Sequence, residues 1–326
     1  MDVATFCRQS RVLIVAGKGG VGKTTITAAL AKMASSSGLN VLVVELEGKS
    51  GVPAAFGREH SLDYDEAVLD SLSADGAVRA RRITPDDALV EYLADHGMKR
   101  ISKRLASSGA LDVVATAIPG IRDILVLGKV KQLERDDPSD LILVDAPATG
   151  HAMTFLSSAK GLLGAARSGP VRAQAADVVE LLSDAKRCQV VLVTLPEEMP
   201  VNEAVETAYQ LEDRIGITLG PVIVNGCLPE DPLLDTDPSE AAEQAGVEID
   251  DELAAALGRA AAFRAHRYRL QAAQWKRLAH ELPLPQLYAR FLFCPQIGPE
   301  ELERLETDLA ASVGRLEEGY SKELRA

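Results

Sequence analysis

Gly17-Lys18-Gly19-Gly20-Val21-Gly22-Lys23-Thr24-Thr25 packs four glycines, two lysines and two threonines into nine residues. Its spacing, glycine, four residues, then Gly-Lys-Thr, is the Walker A pattern of a phosphate-binding loop. Gly17, Gly19, Gly20 and Gly22, with Val21 among them, let backbone N–H groups turn inward around an anion. A helix beginning near Lys23 adds its positive end. In that setting Lys23 reaches the β- and γ-phosphates of ATP. The Thr24 hydroxyl binds Mg²⁺, and Thr25 continues the first turn. Asp145 closes the apolar run 141–144, where a Walker B carboxylate would hold Mg²⁺ through its water shell. Lys18 is additional: a second lysine beside the phosphates either neutralises transferred charge or is a surface lysine. Asn225 ends another apolar run. Its carboxamide suits an adenine edge, and it also suits a turn before Gly226.

The elements that must position these groups follow from the pattern of apolar residues. Residues 11–16 read as a buried strand, 23–37 as a helix and 41–44 as a parallel strand, the opening of an α/β layer fold. Further strands are expected at 112–115, 141–144, 190–195, 221–225 and roughly 288–293, with helices at 121–135, 200–215 and 299–317. The stretch 62–105 reads as mostly helical, broken near Pro85 and Gly97. The stretch 239–280 is too long for one crossover helix and should hold at least two. The expected fold is therefore α/β, a three-layer P-loop NTPase with a mostly parallel central sheet. It forms a single domain over 1–326 with helical subdomain elements at about 61–108 and 151–186.

Composition narrows the partners. The chain has 326 residues, 35 basic and 48 acidic, for a formal charge of −13. That surface repels nucleic acid and anionic lipid at long range, so neither is expected as a partner, and any membrane association is indirect. The basic clusters at 79–82 and 99–104 read as solvated helix faces. Cys7, Cys188, Cys227 and Cys294 are isolated, with no CxxC pair, and read as buried thiols in a reducing compartment. Residues 1–10 have no long apolar core, so cytoplasm is the expected location.

These residues carry a family resemblance. Lys18 to Thr25 resembles the deviant Walker A of dimeric SIMIBI-class P-loop ATPases. In that class the lysine matching Lys18 crosses the dimer interface to the partner's nucleotide. Asp145-Ala146-Pro147-Ala148-Thr149-Gly150-His151 resembles the switch II segment of the anion-transporting ATPase family, which includes arsenite pump ATPases and tail-anchored-protein targeting ATPases. The match implies a bacterial member with one P-loop, with ATP and Mg²⁺ as cofactors, and the longer side chain of Glu47 makes slow hydrolysis by the isolated chain the expectation. It makes Asp145 the magnesium-linked carboxylate and puts Gly150 and His151 on the γ-phosphate-sensing loop. Glu47 stands where the family usually has an aspartate that orients the attacking water, with Glu45 as a nearby rival. Pro119-Gly120-Ile121 is similar to the segment opening the helical subdomain. Asn225 matches the adenine-reading asparagine, and Cys294 and Pro295 match a loop closing over the base.

Departures from the family narrow the function. The zinc-binding CxxC of the eukaryotic targeting factors is absent, residues 155–185 contain no methionine, and the arsenite-binding cysteines are unmatched. The leading expectation is a dimeric ATP-hydrolysing switch, as a homodimer or a heterodimer with a paralogous ATPase, acting on an unidentified protein client. Its alternatives are a weakly hydrolysing scaffold subunit paired with a paralogue, a targeting factor for membrane proteins with an apolar groove at 61–105 or 161–183, and a partitioning ATPase.

Overall fold

Near-continuous apolar runs persist as strands only where both faces are covered. The computed structural model describes residues 1–46, 51–72, 76–95 and 120–323. It forms such runs into β1 (Val12–Gly17), β2 (Val41–Leu46), β5 (Leu141–Asp145) and β6 (Cys188–Thr194). With β3 (Ala67–Leu72), β4 (Gly76–Ile83), β7 (Val222–Cys227) and β8 (Gln286–Arg290) they make one sheet, ordered β3-β4-β2-β5-β1-β6-β7-β8. Every adjacent pair is parallel except β3–β4.

Period-2 alternation builds a core on each face of the sheet. Leu13 and Val15 point toward α1 (Val3–Cys7), α2 (Lys23–Ser36) and α11 (Pro299–Glu323). On α11, Leu302, Leu305, Leu309 and Val313 form the buried stripe of an amphipathic helix. Val12, Ile14 and Ala16 point the other way, toward α5 (Ile121–Asp136), α6 (Thr149–Ala165), α7 (Pro170–Ser183) and α8 (Glu198–Gln210). The result is the expected mixed α/β fold, a mostly parallel sheet flanked by helices. Short α3 (Val52–Ala55) follows β2, and α4 (Pro85–Asp95) follows β4.

The helical reading of 62–105 fails over 67–83, which forms β3 and β4. Alanine, leucine and arginine favour helix locally, yet β2 would otherwise present an unpaired edge. β4 fills that edge, with Val41 opposite Val78 and Val43 opposite Ala80. The cluster at 79–82 is accordingly no solvated helix face: Arg79 pairs with Asp137 at 2.8 Å, and buried Arg81 stacks on the Tyr64 ring at 4.5 Å. The stretch 239–280 does hold two helices, α9 (Pro238–Ala245) and α10 (Asp251–Glu281). Helix α1, capped by the Asp2 carboxylate on the Thr5 N–H at 2.8 Å, has no counterpart in the sequence reading. The strand expected at 112–115 and the cluster at 99–104 lie outside the described residues, as do Glu47, Gly48 and Pro119. No helix among the described residues is long and apolar enough to cross a membrane.

Candidate nucleotide site

Parallel strands end together, and loops at the carboxyl ends converge where chain order reverses across the sheet. β1 lies between β5 and β6, with Val15 level with Asp145 and Gly17 level with Val193. Two glycines here are obligatory. Gly17 has φ +151°, and a Cβ on it would land on the Val193 carbonyl oxygen. Gly22 caps α2 in the left-handed region at φ +88°, and its missing Cβ leaves room for the Asn225 amide.

Lys23 opens α2 and is 7% exposed. Its Nζ donates to the Lys18 carbonyl at 2.8 Å, so its ammonium is turned back over the loop. Thr24 Oγ1 donates to Asp145 Oδ2 at 2.7 Å, bringing two residues 121 positions apart to one point. Asp145 is fully buried. Thr25 is half-buried on the same turn, while Gly19 and Gly20 lie exposed at the loop's crest. A hydroxyl and a carboxylate are hard oxygen donors, the set a nucleotide-borne Mg²⁺ takes together with water and phosphate. The residues therefore fit Mg²⁺ with a phosphate chain.

Glu45 sits level with Asp145 in the β2–β5 register and is fully buried. Its Oε1 accepts the Val52 N–H at 2.8 Å. That bond ties the end of β2 to the start of α3, the two described elements that flank the segment carrying Glu47. Gly51 completes the closure: a Cβ there would come within 2.7 Å of Thr24 Cγ2. The sequence reading missed Gly51 and Val52, whose only sequence signal is a glycine shortly before Pro53, which lies in the first turn of α3.

Lys18 turns within its own chain to Glu203 on α8, with Nζ 2.6 Å from Oε1 and both side chains about one-third exposed. Asn225 Nδ2 donates to the Val21 carbonyl at 2.9 Å, bracing the phosphate loop from β7. Asn225→Ala therefore has two distinguishable expected outcomes in competition binding. A base-reading role loosens the preference for ATP over GTP, and bracing alone weakens both equally. An unchanged preference removes Asn225 from base reading.

Gly150 and His151 lie exposed on the first turn of α6. His151 is close enough to lower the pKa of Asp123 on α5, but burial dominates and leaves that carboxyl raised. Cys294 and Pro295 follow edge strand β8, which pairs with the Asn225 strand. Phe291 approaches the vacant Cβ position of Gly226 at 3.9 Å, so this loop starts beside Asn225. Cys294 is partly exposed, whereas Cys7, Cys188 and Cys227 are buried. Burial pushes the Cys7 and Cys227 thiols up to about 12.

Comparison with known proteins was decided by the region that builds this site. Residues 10–163 and 169–249 match the anion-transporting ATPase family. The chain belongs to that family. ATPase BagA of Mycobacterium tuberculosis is 37% identical over 254 residues, 74% of this chain and 71% of that protein. The arsenical pump-driving ATPase of Escherichia coli is 29% identical over 247 residues, 67% of this chain and 39% of that protein. ATPase get3 of Schizosaccharomyces pombe is 29% identical over 168 residues, 49% of each chain. Membership supports ATP binding and hydrolysis, and the use of Mg²⁺, at the level of the family in general.

Proposed function

We propose that this chain is a single-P-loop, dimeric ATP-driven switch of the anion-transporting ATPase family. The observation that carries the reading is the meeting of Lys23, Thr24 and Asp145 beneath the Gly17–Gly22 turn. In it, Lys23 leaves the Lys18 carbonyl for the β- and γ-phosphates. Thr24 and Asp145 hold Mg²⁺, which supplies positive charge to the phosphate oxygens. Glu47 orients the attacking water, Asn225 faces the base, and the loop with Cys294 and Pro295 closes over it. Gly150 and His151 carry the γ-phosphate state toward α5 and α6.

The single Walker A pattern of the chain, residues 17–25, supports one nucleotide site per chain. Arsenite is not proposed as cargo, because its capture needs accessible thiolates and three of the four thiols are buried. An apolar client groove at 61–105 or 161–183 also lacks support. Among the described residues there, Val68 is the large hydrophobic side chain that stands exposed.

Dimerisation gives Lys18 its task. The Lys18–Glu203 pair must open before the ammonium can reach a partner's phosphates. Because that pair is partly solvated, it opens at a cost of about 1 kcal/mol or less. Lys18→Ala is expected to leave ATP binding intact while slowing turnover on the order of 100-fold, the scale of one lost transition-state contact. Mixing Lys18→Ala with a Lys23→Ala partner is the sharper test. Turnover returns if the intact Lys18 of one chain serves the nucleotide of the other. Equal turnover by wild type and Lys18→Ala contradicts the reading.

A further inference from the structure

We propose that Gln271 of helix α10 is a positioning residue of the nucleotide site, which holds Asn225 against the phosphate loop and links the long helix to nucleotide binding. The inference rests on the nucleotide-site reading above. It adds a residue beyond the matched region, which ends at residue 249.

An irregularity in the sheet creates the need for such a residue. Val224 lies opposite Tyr288 and Cys227 opposite Arg290, so β7 takes three steps where β8 takes two. Asn225 and Gly226 occupy this bulge, and Gly226 turns into the left-handed region at φ +72°. A bulge re-aims a side chain and interrupts the ladder. Here the Asn225 amide meets the Val21 carbonyl at 2.9 Å. Backbone groups beside the interruption need partners from elsewhere. Gln271 supplies two. Its Oε1 accepts the Leu228 N–H at 2.8 Å, and its Nε2 donates to the Gly226 carbonyl at 3.1 Å. One carboxamide, 5% exposed, thus brackets the chain directly after Asn225. An apolar side chain of the same size would fill the space and make neither bond.

The helix that carries Gln271 touches the site at several points. Arg264, Tyr268, Gln271, Trp275 and Leu278 recur at helical spacing and share one face of α10. The Arg264 guanidinium lies 5.7 Å from the Phe293 ring, one residue before Cys294. Trp275 packs edge-on against Tyr268 and against Tyr288, the residue level with Val224. Arg277 donates to the Asn202 side chain on α8, next to the Glu203 that holds Lys18. N-terminal to Gln271, residues 251–270 run on for about 30 Å, and none of them is fully buried. A shift at the Asn225 bulge therefore tilts a long lever whose far end stands in solvent.

The test is the affinity of the full chain for Mg·ATP, measured by calorimetry. Gln271→Met keeps the bulk of the side chain and removes both hydrogen bonds. It is expected to weaken ATP binding by ~10-fold, the scale of one lost buried hydrogen bond. In an Asn225→Ala background the same substitution is expected to cost nothing further, because the side chain it positions is gone. A residue that merely stabilised the helix would cost the same in both backgrounds. Leu278→Ala is the control, being buried on the same face without a polar group. It is expected to lower the thermal midpoint and to leave ATP affinity at the wild-type value. Trp275 is the chain's single tryptophan, so its emission reads the helix directly and needs no variant. ATP titrated into wild type is expected to shift that emission with the calorimetric midpoint, and saturating ATP to leave it unshifted in Gln271→Met. Wild-type affinity in Gln271→Met, additive losses in the double variant, equal weakening by Leu278→Ala, or emission that ignores ATP each overturn the proposal. Wild type that binds no ATP, or Lys23→Ala that binds it as tightly as wild type, defeats the site reading and this one with it.

Discussion

Lys23→Ala is expected to weaken ATP binding by at least ~100-fold, about 2.7 kcal/mol. The ammonium is buried at the start of α2 and bonded to the Lys18 carbonyl, so it is already held over the loop where phosphates would sit. Its loss removes a full positive charge at the base of the cradle and leaves the backbone N–H groups and helix end in place. The fold should survive, because the hydrophobic faces of α2 are untouched and one hydrogen bond to a carbonyl is worth about 1–3 kcal/mol. Calorimetry measures the affinity directly. Thermal unfolding gives a second reading, since a ligand at 100 times its Kd stabilises the native state by about 2.7 kcal/mol. Wild type should show that rise on adding Mg·ATP, and Lys23→Ala should not. Unchanged affinity would remove Lys23 from the phosphate site.

Glu47→Gln is expected to bind ATP normally and to lose turnover on the order of 100-fold, the cost of misplacing a reacting water by about 1 Å. Glu47→Asp should keep or raise the rate. Glu47 follows directly on β2, whose last turns are anchored by fully buried Glu45 beside Asp145 and by the Glu45–Val52 bond. That bond ties the two ends of the short segment together next to Thr24. Glutamate keeps the carboxylate but adds a rotatable bond, so holding it in line with the γ-phosphate costs more side-chain entropy than aspartate would. Slow basal hydrolysis follows, rising when a partner fixes the segment. Single-turnover hydrolysis at saturating Mg·ATP separates the cases. A wild-type rate in Glu47→Gln would dismiss Glu47 as the water-orienting group. A wild-type chain that binds ATP without ever hydrolysing it would favour the scaffold subunit paired with a paralogue.

The sequence by itself determined the glycine-rich turn after β1, the mostly parallel α/β fold around it and the place of Asp145 at a strand end. Those features are local: glycine spacing dictates backbone freedom, and an unbroken apolar run dictates a strand covered on both sides. The tertiary structure alone decided what distant residues do to one another. β3 and β4 formed where composition favoured helix, because the free edge of β2 took a strand as its partner. Glu45 became a clamp on Val52, Lys18 turned to Glu203 and Asn225 braced Val21, because each is a polar side chain whose nearest partner is set by sheet register and helix docking. Helix α10 shows the same division. Its charged and apolar residues are written in the chain, but which of those side chains stand in water depends on the anchor at Gln271, where burial on the sheet begins.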